Sequence, residues 1–323
     1  MANERDNNDV VFVYMGGDQD VPKDITHVGV HKSVKIIAAR AFQNCYNLVS
    51  IEMHDGVEII KEYAFCNCYR LSGIKLPGVR VIEKCAFHEC NALADVDFGN
   101  NNKLETIGEG ALAYTALRNI KIPTVRVIEG WAFYGCKQLT AAKFSEDLQT
   151  IGRRSFEDCE CLERITIPLK VNMFGIDPIF HDCYELSQVD VVGGIHKTIS
   201  SLLLQSWKND MNDEIDRINQ VLPNTGRYEK TAAIRRWNAR VLERMEHYKS
   251  EHYALLKEDM TQLELALWKA NLHEEEEMED TREQPAKKAK IDRKTENARR
   301  QEQRITSGAS TVIKNVLPFL KLE

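Results

Sequence analysis

Between residues 35 and 195 the apolar positions of this chain recur in blocks. A bulky anchor stands at Phe42, Phe65, Phe87, Leu112, Phe133, Phe156 and Phe180, at spacings of 23, 22, 25, 21, 23 and 24 residues. Three residues after each anchor come Cys45, Cys68, Cys90, Thr115, Cys136, Cys159 and Cys183, and then Leu48, Leu71, Leu93, Leu117, Leu139, Leu162 and Leu186. Five residues before the first six anchors stand Ile37, Ile60, Ile82, Ile107, Ile128 and Ile151. A fixed period of this length predicts a solenoid of seven coils, none of which can bury its apolar side without a neighbour. The alternation Leu71, Ile74, Leu76 predicts a short strand with inward side chains, and Pro77, Pro123 and Pro168 can end such strands. The segment Ala-Phe-x-x-Cys reads as a short helical turn closing each coil. The expected fold class is an α/β repeat solenoid followed by an all-α helical hairpin or coiled-coil tail.

Outside the repeat the pattern changes. Residues 1–34 hold two strand-like runs around Gly16-Gly17 and Pro22, the expected N-terminal cap of residues 35–195. From about Thr198 to Leu222, apolar residues return at helical spacing through Leu203, Trp207, Met211, Ile215 and Ile218. PNTGRY interrupts. A longer run follows through Ile234, Trp237, Val241, Met245, Tyr248, His252, Leu255, Leu263 and Leu267, near the period of a coiled coil. Residues 196–275 are therefore read as a long helical hairpin or an intermolecular coiled coil, with self-association as one outcome. Residues 276–310 read as a charged linker, and 311–323 as an apolar segment that docks on the helical seam or on a partner.

The repeat resembles the BspA-type leucine-rich repeat, I-x-x-x-A-F-x-x-C-x-x-L-x-x-I-x-L-P, over about residues 28–192. AFCNCYRLSGI at Ala64–Ile74 carries the match, while GALAYTALRNI in the fourth unit departs from it with Leu112, Thr115 and one residue fewer before Leu117. The resemblance implies a binding scaffold without inherent catalysis, used in that family for cell-surface or intracellular recognition. The arrangement of cap, repeats and helical tail also resembles an intracellular group of repeat proteins from unicellular algae, which implies no activity. A surface-recognition or adhesion role of the BspA kind is the rival to an intracellular scaffold or adaptor.

Charge changes the picture only at the tail. Residues 1–195 carry 20 basic and 27 acidic side chains, and residues 281–323 carry 11 and 5. An acidic body does not attract nucleic acid in bulk. The N-terminus lacks a basic start followed by an apolar run, and nowhere do 18 apolar residues follow one another, so neither a secretory signal nor a membrane span is expected. Nine cysteines in a reducing compartment are then mostly thiols, and the regular cysteine reads as a small buried hydrophobe. The cluster Lys287, Lys288, Lys290, Arg293 and Lys294 resembles a nuclear import signal, implying an import receptor and nuclear or nucleocytoplasmic residence. No aromatic residue is interleaved there, so nucleic-acid binding is not expected.

Candidate chemistry is sparse. Cys66, Cys68, Cys85, His88 and Cys90 have the right side chains for zinc, but Cys68 and Cys90 belong to the inward column while Cys66 and His88 are expected to point elsewhere. His27 and His31 lie on a strand-like segment without a carboxylate base. No nucleophile elbow, phosphate loop, dinucleotide fingerprint or HExxH occurs, so no catalytic residue, metal or cofactor is assigned. Two partner-binding surfaces are expected instead. One is the outward ladder of the strands, Glu52, Lys75, Asp97, Lys121 and Lys143. The other is the aromatic side of the turns, with Tyr69, Trp131 and Tyr134 beside Tyr46, Tyr63 and Tyr184. Buried aromatic and arginine anchors carry most interface energy, and the ladder holds no aromatic side chain.

Overall fold

The computed structural model describes residues 11–99 and 102–280. It forms two compact units, Met1–Met245 and Glu246–Glu323. The first holds a parallel β-solenoid of about seven turns followed by helices. Each coil contributes two short strands rather than one strand and a helical turn. The first set runs through Ser50–Glu52, Gly73–Lys75, Asp95–Asp97, Asn119–Ile122, Ala141–Phe144, Arg164–Pro168 and Gln188–Val192. The second comprises two-residue strands, Ile36–Ile37, Ile59–Ile60, Val81–Ile82, Thr106–Ile107, Val127–Ile128 and Thr150–Ile151, all parallel and in register. These end on the inward isoleucines, whose five-residue offset from the anchor marks the second strand.

The expected helical turn is a chain of tight turns. Alternate amides bond to the next coil while those between bond three residues back, which denies the chain an α-helical ladder. Phe42 N–H donates to Ala64 O at 2.8 Å, Phe65 N–H to Ala86 O at 2.7 Å, and Phe133 N–H to Ser155 O at 2.8 Å. Two residues per coil, two before and two after the anchor, take left-handed backbone angles: Tyr63 and Asn67, Cys85 and Glu89, Trp131 and Gly135, Arg154 and Asp158. Left-handed residues end a helical turn after a few residues. Few of them are glycine, which hides the feature from a reading by composition.

All seven anchors are buried. The rings of Phe42, Phe65 and Phe87 stack at 5.0 and 5.1 Å with interplanar angles of 4°, and Phe133 stacks on Phe156 at 5.0 Å. Leu112 breaks this column. The cysteines form a second one: Sγ of Cys68, Cys90, Cys136 and Cys159 donates to the anchor carbonyl of the preceding coil, Phe42, Phe65, Leu112 and Phe133, at 3.1–3.2 Å. A thiol here fills a small volume and offers a weak donor to a buried carbonyl. Thr115 keeps a donor, its hydroxyl reaching Leu112 O at 2.9 Å.

The N-terminal strands Phe12–Tyr14 and His27–Val30 extend the solenoid as parallel rungs, the latter pairing with Ser50–Glu52. Tyr14 packs edge-on against Phe42 at 5.0 Å and closes the phenylalanine column.

After Gly193 (φ +107°) the chain turns into helix α1 (Ile195–Ser201), then α2 (Gln205–Val221), and after a short 3-10 turn enters α3 (Lys230–Asp280). The single helix expected from Thr198 is thus two. Leu202, buried, and Leu204 are extended and separate them. Within the first unit α2 and the start of α3 form an antiparallel hairpin. Trp237 Nε1 donates to Glu214 O at 2.9 Å, and Arg244 meets Asp210 at 3.0 Å. Glu214, fully buried, faces Arg217, Arg240 and Arg244 at 3.2–3.4 Å, so its burial is offset by three guanidinium groups.

This hairpin caps the solenoid, a task that was not expected of it. The side-chain amide of Asn219 accepts from Val189 N–H at 2.8 Å and donates to Val189 O at 3.3 Å, imitating a further strand. Thr231 Oγ1 accepts from the amides of Ile179 and Phe180, both at 2.9 Å. Lys230 Nζ donates to Tyr184 O and Leu186 O at 2.8 and 2.6 Å, and burial pulls its ammonium below the usual lysine value. Backbone groups that a next coil would satisfy are met by side chains of the helices. In the second unit the described residues continue α3; Leu255, Leu263, Leu265, Leu267 and Trp268 are exposed there. No helix among the described residues is long and apolar enough to cross a membrane. The segments 281–310 and 311–323, with the basic cluster Lys287–Lys294, lie outside the described residues.

Candidate protein-interaction surfaces

The outward ladder is placed on one face, but the sheet beneath it is broken. Strands pair from Phe12–Tyr14 through Ser50–Glu52, then Gly73–Lys75 with Asp95–Asp97, then from Asn119–Ile122 onward. Lys75 sits opposite Asp97, whereas Lys121 sits beside Lys143, and like charges side by side disfavour a rigid surface. Glu52, Lys75, Asp97, Lys121 and Lys143 are all exposed. The ladder gains Arg164, which meets Asp190 at 3.1 Å, and no aromatic ring.

The turn side carries two groups of touching rings: Tyr46 and Tyr69, each four residues after its anchor, and His88, Tyr114 and Tyr134, one or two residues after theirs. The rings of Tyr46 and Tyr69 lie 5.2 Å apart at 16°, and they are 48% and 40% exposed. Tyr69 Oη donates to Glu89 Oε2 at 3.4 Å. Next to Glu89, His88 meets Tyr114 edge-on at 5.5 Å, and Tyr114 meets Tyr134 at 5.2 Å and 85°. Repeats one and two thus carry one pair of rings and repeats three to five a second group, with Glu89 between them. Burial and the neighbouring Tyr134 hydroxyl push the Tyr114 phenol up to about 12, and burial lowers the His88 imidazole, so both are neutral near pH 7. Such rings contribute large, stiff, amphipathic contact area.

Tyr69 and Tyr134 belong to these groups; Trp131 does not. It lies two residues before its anchor, beneath the Arg153 guanidinium at 3.9 Å, as Tyr63 lies by Arg40 at 5.3 Å. Tyr184 bonds to Arg227 Nη1 at 2.8 Å and so joins the cap. Tyr114, absent from the candidates drawn from the sequence, joins His88 to Tyr134. It lies in the irregular fourth unit, two residues after Leu112, an offset at which every other repeat has a non-aromatic residue, so the repeat register offered no signal for it.

Among the described residues no three His, Cys, Asp or Glu side chains converge as metal ligands. Cys66 is buried, and burial pushes it up to about 11. His27 and His31 bond locally to Thr26 and Ser33 at 2.9 and 2.8 Å.

Parallel coils with a leucine at every inward corner and a cap at the C-terminal end define a leucine-rich-repeat solenoid. The sequence model of the BspA type leucine rich repeat region matches six copies, over residues 22–140 and 105–209, and the chain belongs to that family of non-enzymatic repeat proteins. Among solved structures the chain is similar to a leucine-rich repeat protein from Bacteroides ovatus, with 23% identity over 52% of this chain and 55% of that one and a TM-score of 0.35. A leucine rich cell surface protein from Faecalibacterium prausnitzii gives 22%, 53%, 57% and 0.41. The leucine rich repeat protein of T. pallidum gives 23%, 54%, 76% and 0.37. The chain spans little more than half the length of the first two. None of the curated proteins matches it.

Proposed function

We propose that this protein is a non-catalytic protein-recognition scaffold that binds partners through the tyrosines of its turn face. The observation carrying this reading is the two ring groups on that face, Tyr46 with Tyr69 and His88 with Tyr114 and Tyr134, three of whose tyrosines are exposed. Rings of this kind, held in place by a rigid solenoid, contribute binding energy without a large ordering cost. The polar ladder is the weaker candidate, since exposed single charges contribute little.

Two further elements belong to the reading. The exposed Leu263, Leu267 and Trp268 of α3 support self-association through that helix. The basic cluster at Lys287, Lys288, Lys290, Arg293 and Lys294 supports residence in the nucleus through an import receptor.

The test is capture from host lysate by full-length protein, by Tyr69→Ser/Tyr114→Ser, and by Lys75→Glu/Lys121→Glu/Lys143→Glu. Loss of the same specific partner in the tyrosine variant, with its retention in the charge-reversal variant, is expected. The opposite pattern moves the binding surface to the ladder and overturns the reading.

A further inference from the structure

On a different side of the solenoid, the loops joining the two strands of repeats two to six line an open groove of about 430 Å³. Its charge is ordered along the axis. Repeat two contributes Asp55 and Glu58, repeats three to five contribute Arg80, Lys103, Glu105 and Arg126, and repeat six contributes Asp147. The middle therefore sets three cations against one carboxylate, and both ends are acidic. Arg80 Nε and Nη2 donate to Glu105 Oε1 at 3.0 and 2.6 Å, which satisfies that carboxylate. Among the described residues Lys103 and Arg126, on adjacent coils, form no ion pair. Small residues flank the cations: Gly78 precedes Arg80, and Thr124 precedes Arg126. A side chain at Gly78 has no room, since its Cβ would lie 1.9 Å from Asp55 O, so glycine lets these two coils pack closely beneath the groove.

We propose that this groove binds a phosphorylated side chain of a partner protein, with the phosphoryl group between Lys103 and Arg126 and basic residues of the partner at the two acidic ends. A planar guanidinium and an ammonium side by side suit a compact dianion. The acidic ends disfavour an extended polyanion such as nucleic acid, because its further phosphates would meet Asp55, Glu58 and Asp147. They equally favour a peptide over the free ion. Coils lie about 4.8 Å apart, so Asp147 is roughly 7 Å from the phosphoryl position and the Asp55–Glu58 pair roughly 12 Å. An extended peptide rises about 3.3 Å per residue, which places one basic residue two positions from the phosphoryl residue and the other three to four positions away on the opposite side. This site lies apart from the turn-face tyrosines and does not depend on them.

The experiment is fluorescence anisotropy of full-length protein with labelled peptides carrying phosphoserine, one arginine two residues to one side and one four residues to the other, in both orders. At least one order is expected to bind ten-fold or more tighter than its unphosphorylated form, with at least ten-fold loss in Lys103→Gln/Arg126→Gln and no change in Tyr69→Ser/Tyr114→Ser. Both altered cations are on the surface, and circular dichroism verifies that the variant is folded. Equal affinity for phosphorylated and unphosphorylated peptides overturns the proposal, as does undiminished binding by the double variant. Displacement by inorganic phosphate at the concentration of the peptide assigns the site to the free ion and also overturns it. Tighter binding of a single-stranded oligonucleotide that is lost in the double variant does the same.

Discussion

Thr231 offers the sharpest test of the finding that the helices cap the solenoid. Its hydroxyl accepts from two consecutive buried amides, Ile179 and Phe180, each at 2.9 Å, and Thr231 is itself 5% exposed. Thr231→Val keeps the shape and removes the acceptor, leaving two donors in a dry contact. An unsatisfied buried group costs about 1–3 kcal/mol, so some relaxation at the site still leaves a loss of about 2–4 kcal/mol. Thr231→Ser keeps the oxygen and loses a methyl group, for about 1 kcal/mol. Urea unfolding followed through the buried Trp237 measures both variants. Hydrogen exchange at the Ile179 and Phe180 amides reports where the loss occurs, because a solenoid frays from a weakened end. A Thr231→Val protein within 0.5 kcal/mol (about one RT) of the parent, with both amides still protected, would refute the capping argument.

Phe133→Ala should destabilise by about 3–5 kcal/mol in the same assay, since the ring is fully buried and stacks on Phe156 at 5.0 Å, while exposed Gln138→Ala should stay within about 0.5 kcal/mol. Burial pushes Cys45, Cys66 and Cys136 up to about 11 from an ordinary 9.0. Above pH 9 the unfolded chain therefore releases protons that the fold retains. Stability is fully present below pH 9 and should fall as pH rises from 9 to 11, checked by unfolding at pH 8, 9, 10 and 11. In the native protein at pH 8 a thiol reagent should modify exposed Cys161 first and the buried cysteine column only on unfolding; fast reaction of Cys136 would contradict its burial.

The sequence by itself determined the repeat. Seven anchors, their cysteines and the following leucines must each find the same neighbours in the coils above and below, because no coil buries its apolar side alone. That logic is local and periodic, so it can be read by counting. It also marked Tyr69 and Tyr134 as candidates. What it could not decide were matters set between coils and at their ends. Turn amides such as Phe65 N–H bond across to Ala86 O, which turns an expected helical segment into tight turns with left-handed residues at Tyr63 and Asn67. Tyr69 stacks on Tyr46, which has the same offset of four from its anchor, while Trp131, two residues before its anchor, lies apart under Arg153, because offset from the anchor and not residue type fixes where a side chain goes. The two-residue strands showed in the sequence only as the isoleucine five residues before each of the first six anchors, which fixes their place but is too short a run to alternate like a strand. Only tertiary structure brings Asn219, Lys230 and Thr231 onto the last coil, 30 to 52 residues from the groups they satisfy. Helical spacing records which residues face inward on a helix, but not which unpaired backbone groups elsewhere need them.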